Sequence, residues 1–401
     1  MKTAIDLRSF CNERLFMLFR FSLVVLILAG VCSHLGFSSG LFSQQPGYTA
    51  KIFDLNTESE RQIIVDREVG QYLGHPTTCL LEDAKTIWCV YPKGHGNGPI
   101  QLKVSRDGGL TWSDRLSTPE NWQTSKETPT LHRMIGPDGK RRLLVFSGLY
   151  PIRMAVSDDG GENWSSLNPV GEWGGIVAMS SAFYLRSGPG HYLAMFHDDG
   201  RFLTATSTPK TPREFVLLKS KSEDGGLTWS TPIEVLKGQK MHLCEPGVVR
   251  SPDGKQLACL LRENSRQLPA QIIFSNDEGE TWTAPRDLPP ELCGDRHVAK
   301  YSPDGRLVIS FRRVAIESQT DLFDGDWVAW VGTYEDLTSN KTGQYLVRLK
   351  DNLKNHDCAY PGVEVLPDGT FVMTTYGHWA EGEEPFILTV RLKLSELDSK
   401  R

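Results

Sequence analysis

One eight-residue phrase, Ser-x-Asp-x-Gly-x-(Thr/Asn)-Trp, occurs four times in the chain, at Ser105–Trp112, Ser157–Trp164, Ser222–Trp229 and Ser275–Trp282. The copies begin 52, 65 and 53 residues apart, a spacing that fits one supersecondary unit stacked on copies of itself. Each phrase reads as a tight turn between strands. Its Asp (Asp107, Asp159, Asp224, Asp277) can accept hydrogen bonds from backbone amides across the turn, and its fifth-position Gly (Gly109, Gly161, Gly226, Gly279) suits a positive φ. The closing Trp can pack between sheets. The repeated phrase is therefore scaffold, and the chemistry has to be sought elsewhere.

A second repeat runs in step with the first. Turn signals lie between apolar runs at Glu82–Lys85, Pro137–Lys140, Gly188–His191, Pro252–Lys255, Pro303–Arg306 and Pro367–Thr370. Centred on residues 83, 138, 189, 253, 304 and 368, they are spaced by 55, 51, 64, 51 and 64 residues. The flanking runs, such as Leu143–Phe146, Leu257–Leu261 and Phe371–Thr375, are short and rich in branched or aromatic residues, as strands are. The Asp of the repeated phrase follows the first four turns after 24, 21, 35 and 24 residues, leaving room for about four strands per unit. The prediction is an all-β, six-bladed β-propeller over residues 41–401, with the segment around 48–66 returning to close the last blade.

At 401 residues the chain can be a single propeller domain. A net charge of −5 and the lack of a dense Lys/Arg stripe argue against nucleic acid and fit small or carbohydrate ligands. Residues 1–40 read as a signal peptide or signal anchor with a short tether: Arg14 and Arg20 precede the apolar run Phe21–Val31. Export to a periplasmic or extracellular location is expected, with membrane attachment through that segment an open alternative. Six of the eight cysteines fall in the propeller. Cys79 and Cys89 flank the first turn and Cys244 and Cys259 the fourth, which suits either cross-strand disulfides or buried thiols. No Cys-x-x-Cys pair or other zinc spacing occurs, and no cofactor is expected.

In a propeller the inner strands surround a central channel, so residues at one offset from each inner turn should converge at its mouth. Eight positions before the turn centres stand His75, Glu245, Arg296 and Tyr360, all polar or titratable. Glu127 precedes the second turn by eleven positions. On the returning strands lie Lys93 and His95, His197 with Asp198 and Asp199, Arg262, Arg312 with Arg313, and Tyr376 with His378. Unrelated polar loops have no reason to share this register.

The four phrases resemble the Asp-box of the sialidase superfamily. The likeness extends over about residues 70–390. The stretch CEPGVVRSPDGKQLACLLREN resembles the sialidase segment carrying the carboxylate partner of the nucleophile and one Arg of a triad, which implies those roles for Glu245 and Arg262. AYPGVEVLPDGTFVMTTYGHW resembles the last blade and implies Tyr360 as nucleophile. SPDGRLVISFRR implies a further triad Arg, with Arg313 in register with Arg262 and Arg312 beside it. A tyrosine with its ordinary pKa near 10 needs a carboxylate to take its proton, and a neutral phenol suits an anionic sugar. Guanidinium groups grip a carboxylate in a planar, bidentate way.

Two features depart from the family. Gly74-His75-Pro76 stands where sialidases open with Arg-x-Pro, and the acid/base Asp of the following loop is replaced by YPKGHGNG, with Lys93 and His95. His95 is the expected proton donor, and Lys93 or His75 the substitute cation. The resulting expectation is an exported sialidase-like glycosidase acting on an acidic glycan. Its catalytic residues are Tyr360, Glu245 and His95. The substrate-binding candidates are Arg262, Arg313, Arg312, His75, Lys93, Glu127, Arg296, Asp198, Tyr376 and His378. A uronate polysaccharide lyase, a non-catalytic carbohydrate-binding propeller and, from His197, Asp198 and Asp199, a metal centre are the alternatives.

Overall fold

Six sheets, antiparallel but for one added parallel strand, follow one another along the chain. The computed structural model describes residues 50–238, 240–315 and 321–400. The expected signal or anchor, residues 1–40, lies outside them. No helix among the described residues is long and apolar enough to cross a membrane.

The first sheet comprises Thr77–Leu80, Ile87–Pro92 and Ile100–Ser105, and the second Thr130–Ile135, Arg141–Ser147, Arg153–Ser157 and Asn168–Pro169. Ile176–Tyr184 opens the third, Leu243–Arg250 the fourth, Gly294–Tyr301 the fifth and Gly362–Val365 the sixth, each followed by its partners in sequence order. Every one of the six predicted turns joins the first two strands of a sheet. An apolar cluster fills each of the six gaps between neighbouring sheets. Val249, Leu260 and Ile272 of the fourth, for example, pack on Leu307, Ile309 and Val328 of the fifth. This is the six-bladed propeller.

Ring closure uses two N-terminal strands instead of one. Gln62–Asp66 pairs antiparallel with Phe386–Lys393 and completes the sixth blade, as the sequence predicts. Lys51–Asp54 pairs parallel with Tyr345–Lys350 and adds a fifth strand to the fifth blade. Both bonds to the end of the ring come from a segment that precedes its beginning, so opening the ring means breaking two ladders.

The four repeated phrases form one hydrogen-bonded turn, repeated. In each, the Ser hydroxyl donates to the Asp carboxylate at 2.8 or 2.9 Å and accepts the N–H of the Gly at the fifth position at 2.8 Å. The same carboxylate accepts the amide of the Thr or Asn at 2.9–3.0 Å. The Gly at the fifth position (Gly109, Gly161, Gly226, Gly279) has φ between 82° and 100° in all four. It also permits a close approach to the preceding blade. A Cβ would stand 2.6 Å from Val372 at Gly109, 2.3 Å from Trp88 at Gly161, and 2.4 Å from Leu144 at Gly226 and from Leu193 at Gly279. The phrase thus fastens each blade to its predecessor around the ring.

All six described cysteines are buried free thiols. Cys79 pairs with Trp88 and Cys89 with Thr78, while Cys244 faces Arg262 and Cys259 faces Val248. Of the two readings the sequence left open, the cysteines follow that of buried thiols, because the members of each pair are out of register and point to opposite faces.

Candidate functional site

Side chains reach the channel mouth from bulged inner strands. His75 has φ 52°, Glu245 50°, Arg296 55° and Ala359, just before Tyr360, 56°. Register shifts mark the same places, between Cys244 and Gly247 and between Asp295 and Val298. Left-handed backbone costs an L-residue roughly 1–2 kcal/mol, and a bulge re-aims the side chain it carries. The strain therefore coincides with three of the four offset residues that the sequence picks out and immediately precedes the fourth, Tyr360.

These residues meet. Tyr360 Oη donates to Glu245 Oε1, and Arg262 Nη1 lies 2.8 Å from that oxygen and 3.5 Å from the phenol. The guanidinium carbons of Arg296 and Arg312 stand 5.7 and 5.9 Å from the centroid of the Tyr360 ring. His75 packs against it at 4.4 Å. The Glu245 amide donates to His197 Nδ1 at 3.4 Å, which fixes the backbone behind the carboxylate. Three buried polar atoms here, Glu245 Oε2, Arg262 Nε and Arg296 Nε, have no hydrogen-bond partner.

Electrostatics separates the pair's protonation states. Burial disfavours an ionised Glu245, but Arg262, the Tyr360 hydrogen bond and Arg312 together hold the carboxyl below its ordinary range. Burial raises the Tyr360 phenol, and the Glu245 charge raises it further against the pull of Arg262 and Arg312. A protonated phenol thus faces a carboxylate. Once the proton moves across, the phenolate is flanked by cations.

Asp295 anchors those cations from below. Fully buried, it accepts both terminal nitrogens of Arg266 at 2.5 and 2.6 Å and Arg312 Nε at 2.9 Å, with Arg262 Nε at 3.4 Å. Burial opposes its ionisation, yet the guanidinium groups keep it far below the usual carboxylate range. Neither Asp295 nor Arg266 stands out in the sequence.

Arg313 does not take the place expected of it. It is buried against Asp321 and the Cys293 carbonyl, 3.0 Å away, and Arg312 occupies the site instead. The reason is turn length. The fourth blade's turn closes with Ser251 N bonded to Gln256 O, whereas the fifth closes with Ser302 N on Arg306 O, one residue shorter. Arg262 pairs with Cys244, and the equivalent pair in the fifth blade is Arg312 with Asp295. A one-residue slip moves a strand residue to the other face, so Arg313 points away.

The remaining candidates divide. Tyr376 stacks on His75 at 4.4 Å, with its hydroxyl 3.1 Å from Nε2. His378 Nε2 lies 3.0 Å from Asp357 Oδ2, and His95 sits 4.9 Å from the His75 ring. Glu127 is buried, accepts the Val177 amide at 2.7 Å, and is pushed up by that burial to about 8. Lys93 is paired with Glu68 at 3.0 Å. Asp198 is spent on its own loop, accepting the amides of Gly200 and Phe202 at 2.6 and 3.0 Å. No group of three or more His, Cys, Asp and Glu among the described residues could hold a metal ion. Tyr72 and Asp357 join the site unforeseen. On the channel axis a cavity of about 320 Å3 is lined by Thr77, His132, Ser180, Ser181, Arg296 and Lys300, among others.

A family model, the BNR repeat-like domain, matches residues 148–373. The chain belongs to that family. None of the curated proteins compared matches this propeller. Among solved structures it is similar to a protein of unknown function from Dyadobacter fermentans (18% identity, TM-score 0.63, covering 83% of this chain and 98% of that one). It is also similar to an α-L-arabinofuranosidase from Fusarium graminearum (14%, TM-score 0.61, covering 84% and 98%). A leech intramolecular trans-sialidase follows (14%, TM-score 0.55, covering 82% and 69%). At these identities the likeness is one of fold, that of a glycoside-hydrolase-like propeller.

Proposed function

We propose that this BNR-repeat propeller is an exported, sialidase-like glycosidase that cleaves an acidic sugar from a glycan. One observation carries the reading: Tyr360 donates to Glu245 while Arg262 spans both. A phenol with its proton already directed at an ionised carboxylate is the ground state of an activated nucleophile. As the phenol oxygen attacks the anomeric carbon, its proton passes to Glu245 and the leaving oxygen takes a proton from a donor across the sugar. Water then displaces the tyrosyl oxygen, which recovers its proton from Glu245.

The cations support an acidic substrate. Arg262 and Arg312 already lean on Asp295, so Arg296, whose Nε has no partner and whose Nη1 reaches only the Ser180 carbonyl at 3.3 Å, has the most to offer an incoming carboxylate. Export rests on Arg14, Arg20 and the apolar run Phe21–Val31. A lyase acting on uronates draws support from two contacts: neutral His75, lying between Tyr360 and Tyr376, resembles a base beside two phenols.

The deciding experiment incubates the full-length protein with a panel of sialylated and uronate glycans and analyses the products. Hydrolysis predicts a free saturated sugar. A near-ultraviolet absorbance from an unsaturated sugar would favour elimination, and no turnover on any acidic glycan would leave a binding protein.

A further inference from the structure

Asp357, three residues before Tyr360 on an irregular stretch, collects more polar contacts than the sequence gives reason to expect. Tyr72 Oη donates to its Oδ1 at 2.7 Å, and Tyr376 Oη approaches the same oxygen at 3.3 Å. His378 Nε2 lies 3.0 Å from Oδ2, and His95 Nδ1 is 3.4 Å from Oδ1. Burial opposes its charge, but the hydrogen bonds from His95, Tyr72 and His378 hold it well below the usual carboxylate range. It is an anion at any pH where the protein would work.

That anion fixes the protons around it. The Tyr72 hydroxyl hydrogen is committed to Asp357, so at its 2.7 Å contact with His95 Nδ1 the phenol oxygen accepts. His95 therefore carries hydrogen on Nδ1, and Nε2 is the nitrogen left to exchange a proton. The His95 side chain is 65% exposed, unlike its neighbours, so that nitrogen can meet a substrate. Its loop is pinned by the Gly96 amide, which donates to His75 Nδ1 at 3.0 Å. His75 is thereby left with its hydrogen on Nε2, facing the Tyr376 oxygen.

Gly74 makes room for this arrangement. A Cβ there would stand 2.6 Å from the Tyr72 ring and 3.4 Å from Tyr376. The residue that departs from the sialidase pattern is the one that admits Tyr72.

We propose that Asp357 and Tyr72 are positioning residues that orient His95 as the proton donor to the leaving oxygen and, in the second half of the reaction, as the base that takes a proton from water. The inference rests on the glycosidase reading above. In the first step, which starts from His95 protonated on both nitrogens, the glycosidic C–O bond breaks, the Tyr360 oxygen bonds to the anomeric carbon as its proton passes to Glu245, and the His95 Nε2 proton goes to the departing oxygen, leaving the neutral Nδ1–H tautomer. In the second, that nitrogen takes a water proton as the water oxygen displaces Tyr360. The titratable groups facing His95 are Tyr72, His75 and Asp357, with Tyr376 and His378 behind Asp357 and Lys93 turned to Glu68.

Two measurements on the full-length protein test it. Imidazole 15N spectra should show neutral His95 as the Nδ1–H tautomer, changing to a mixture in Tyr72→Phe. A predominant Nε2–H tautomer in the wild type overturns the relay. Kinetics would use 4-nitrophenyl and methyl glycosides of N-acetylneuraminic acid and of glucuronic acid. His95→Ala and Asp357→Asn should each lower kcat/KM at least about 100-fold on the methyl glycoside but less than about 10-fold on the nitrophenyl one, whose leaving group needs no proton. Equal losses on both, with wild-type melting temperature, or no loss on either, overturn the assignment while the glycosidase reading survives. If the wild type cleaves neither sugar in either form, the glycosidase reading fails and the catalytic role of His95 falls with it, whatever the tautomer.

Discussion

Arg312 and Asp295 are joined where no solvent reaches the carboxylate: Nε lies 2.9 Å from Oδ2, and Asp295 is fully buried. The bond turns the guanidinium towards the Tyr360 ring, while the same carboxylate steadies Arg266 and Arg262. Asp295→Asn would leave three guanidinium groups crowded together without their anion. Removing one partner of a buried ion pair costs about 3–5 kcal/mol. Urea unfolding should register a loss of that order. Stability within about 1 kcal/mol of wild type would mean that the arginines find other partners.

Tyr360→Phe removes one oxygen and keeps the ring against His75, with Arg262 still on Glu245 at 2.8 Å. The melting temperature should barely move. Turnover of an acidic glycoside should fall at least about a thousandfold while its binding constant changes little, because the missing group acts mainly in the transition state. Turnover within tenfold of wild type would remove the phenol as nucleophile.

The fold is legible in the sequence because its turns are chemically demanding. Only particular residues close the Ser105–Trp112 turn or sit at Gly161 against Trp88. The site is legible where it depends on register within one hairpin, which is why His75, Glu245, Arg296 and Tyr360 share an offset and meet. Arg312 and Arg313 show where this reasoning stops, since one residue fewer in a turn exchanges the faces of the returning strand. Tyr72 and Asp357 lie on irregular stretches outside any repeat. Asp295 is masked by its neighbour Arg296, and only the bulge between Asp295 and Val298 turns it towards the arginines.

The fastening role of the repeated turn separates from its backbone requirement by comparing two glycines. At Gly161, φ is 100° and a Cβ would press into the buried Trp88 at 2.3 Å, while Trp88 Nε1 donates to Gly160 O at 2.8 Å. At Gly139, φ is 75° and nothing lies within 4 Å of the added carbon. Gly139→Ala should cost about 1 kcal/mol, the price of the backbone alone. Gly161→Ala adds an overpacking term of about 1–3 kcal/mol. Equal losses in chemical unfolding would show that the turn does not bind blade to blade.

Glu127 gives the propeller an unusual pH signature. Burial lifts its carboxyl from the ordinary 4.5 to about 8, despite hydrogen bonds from the Thr128 and Val177 amides and the nearby charge of Arg296. Between those two values the folded chain holds a proton that the unfolded chain has released. The contribution of this group to stability is therefore complete below about pH 4.5 and declines as pH rises towards 8, by about 1.4 kcal/mol per unit. Asp295 and Glu245, both lowered, act in the opposite sense and weaken the fold only as pH falls into the acid range. A neutral Glu127 also leaves Arg296 to Glu245 and to an incoming anion. Glu127→Gln keeps the shape and removes the proton exchange, so its unfolding free energy should stay flatter from pH 5 to 8 than that of the wild type. Parallel curves for the two proteins across that range would show that Glu127 is ionised in the fold.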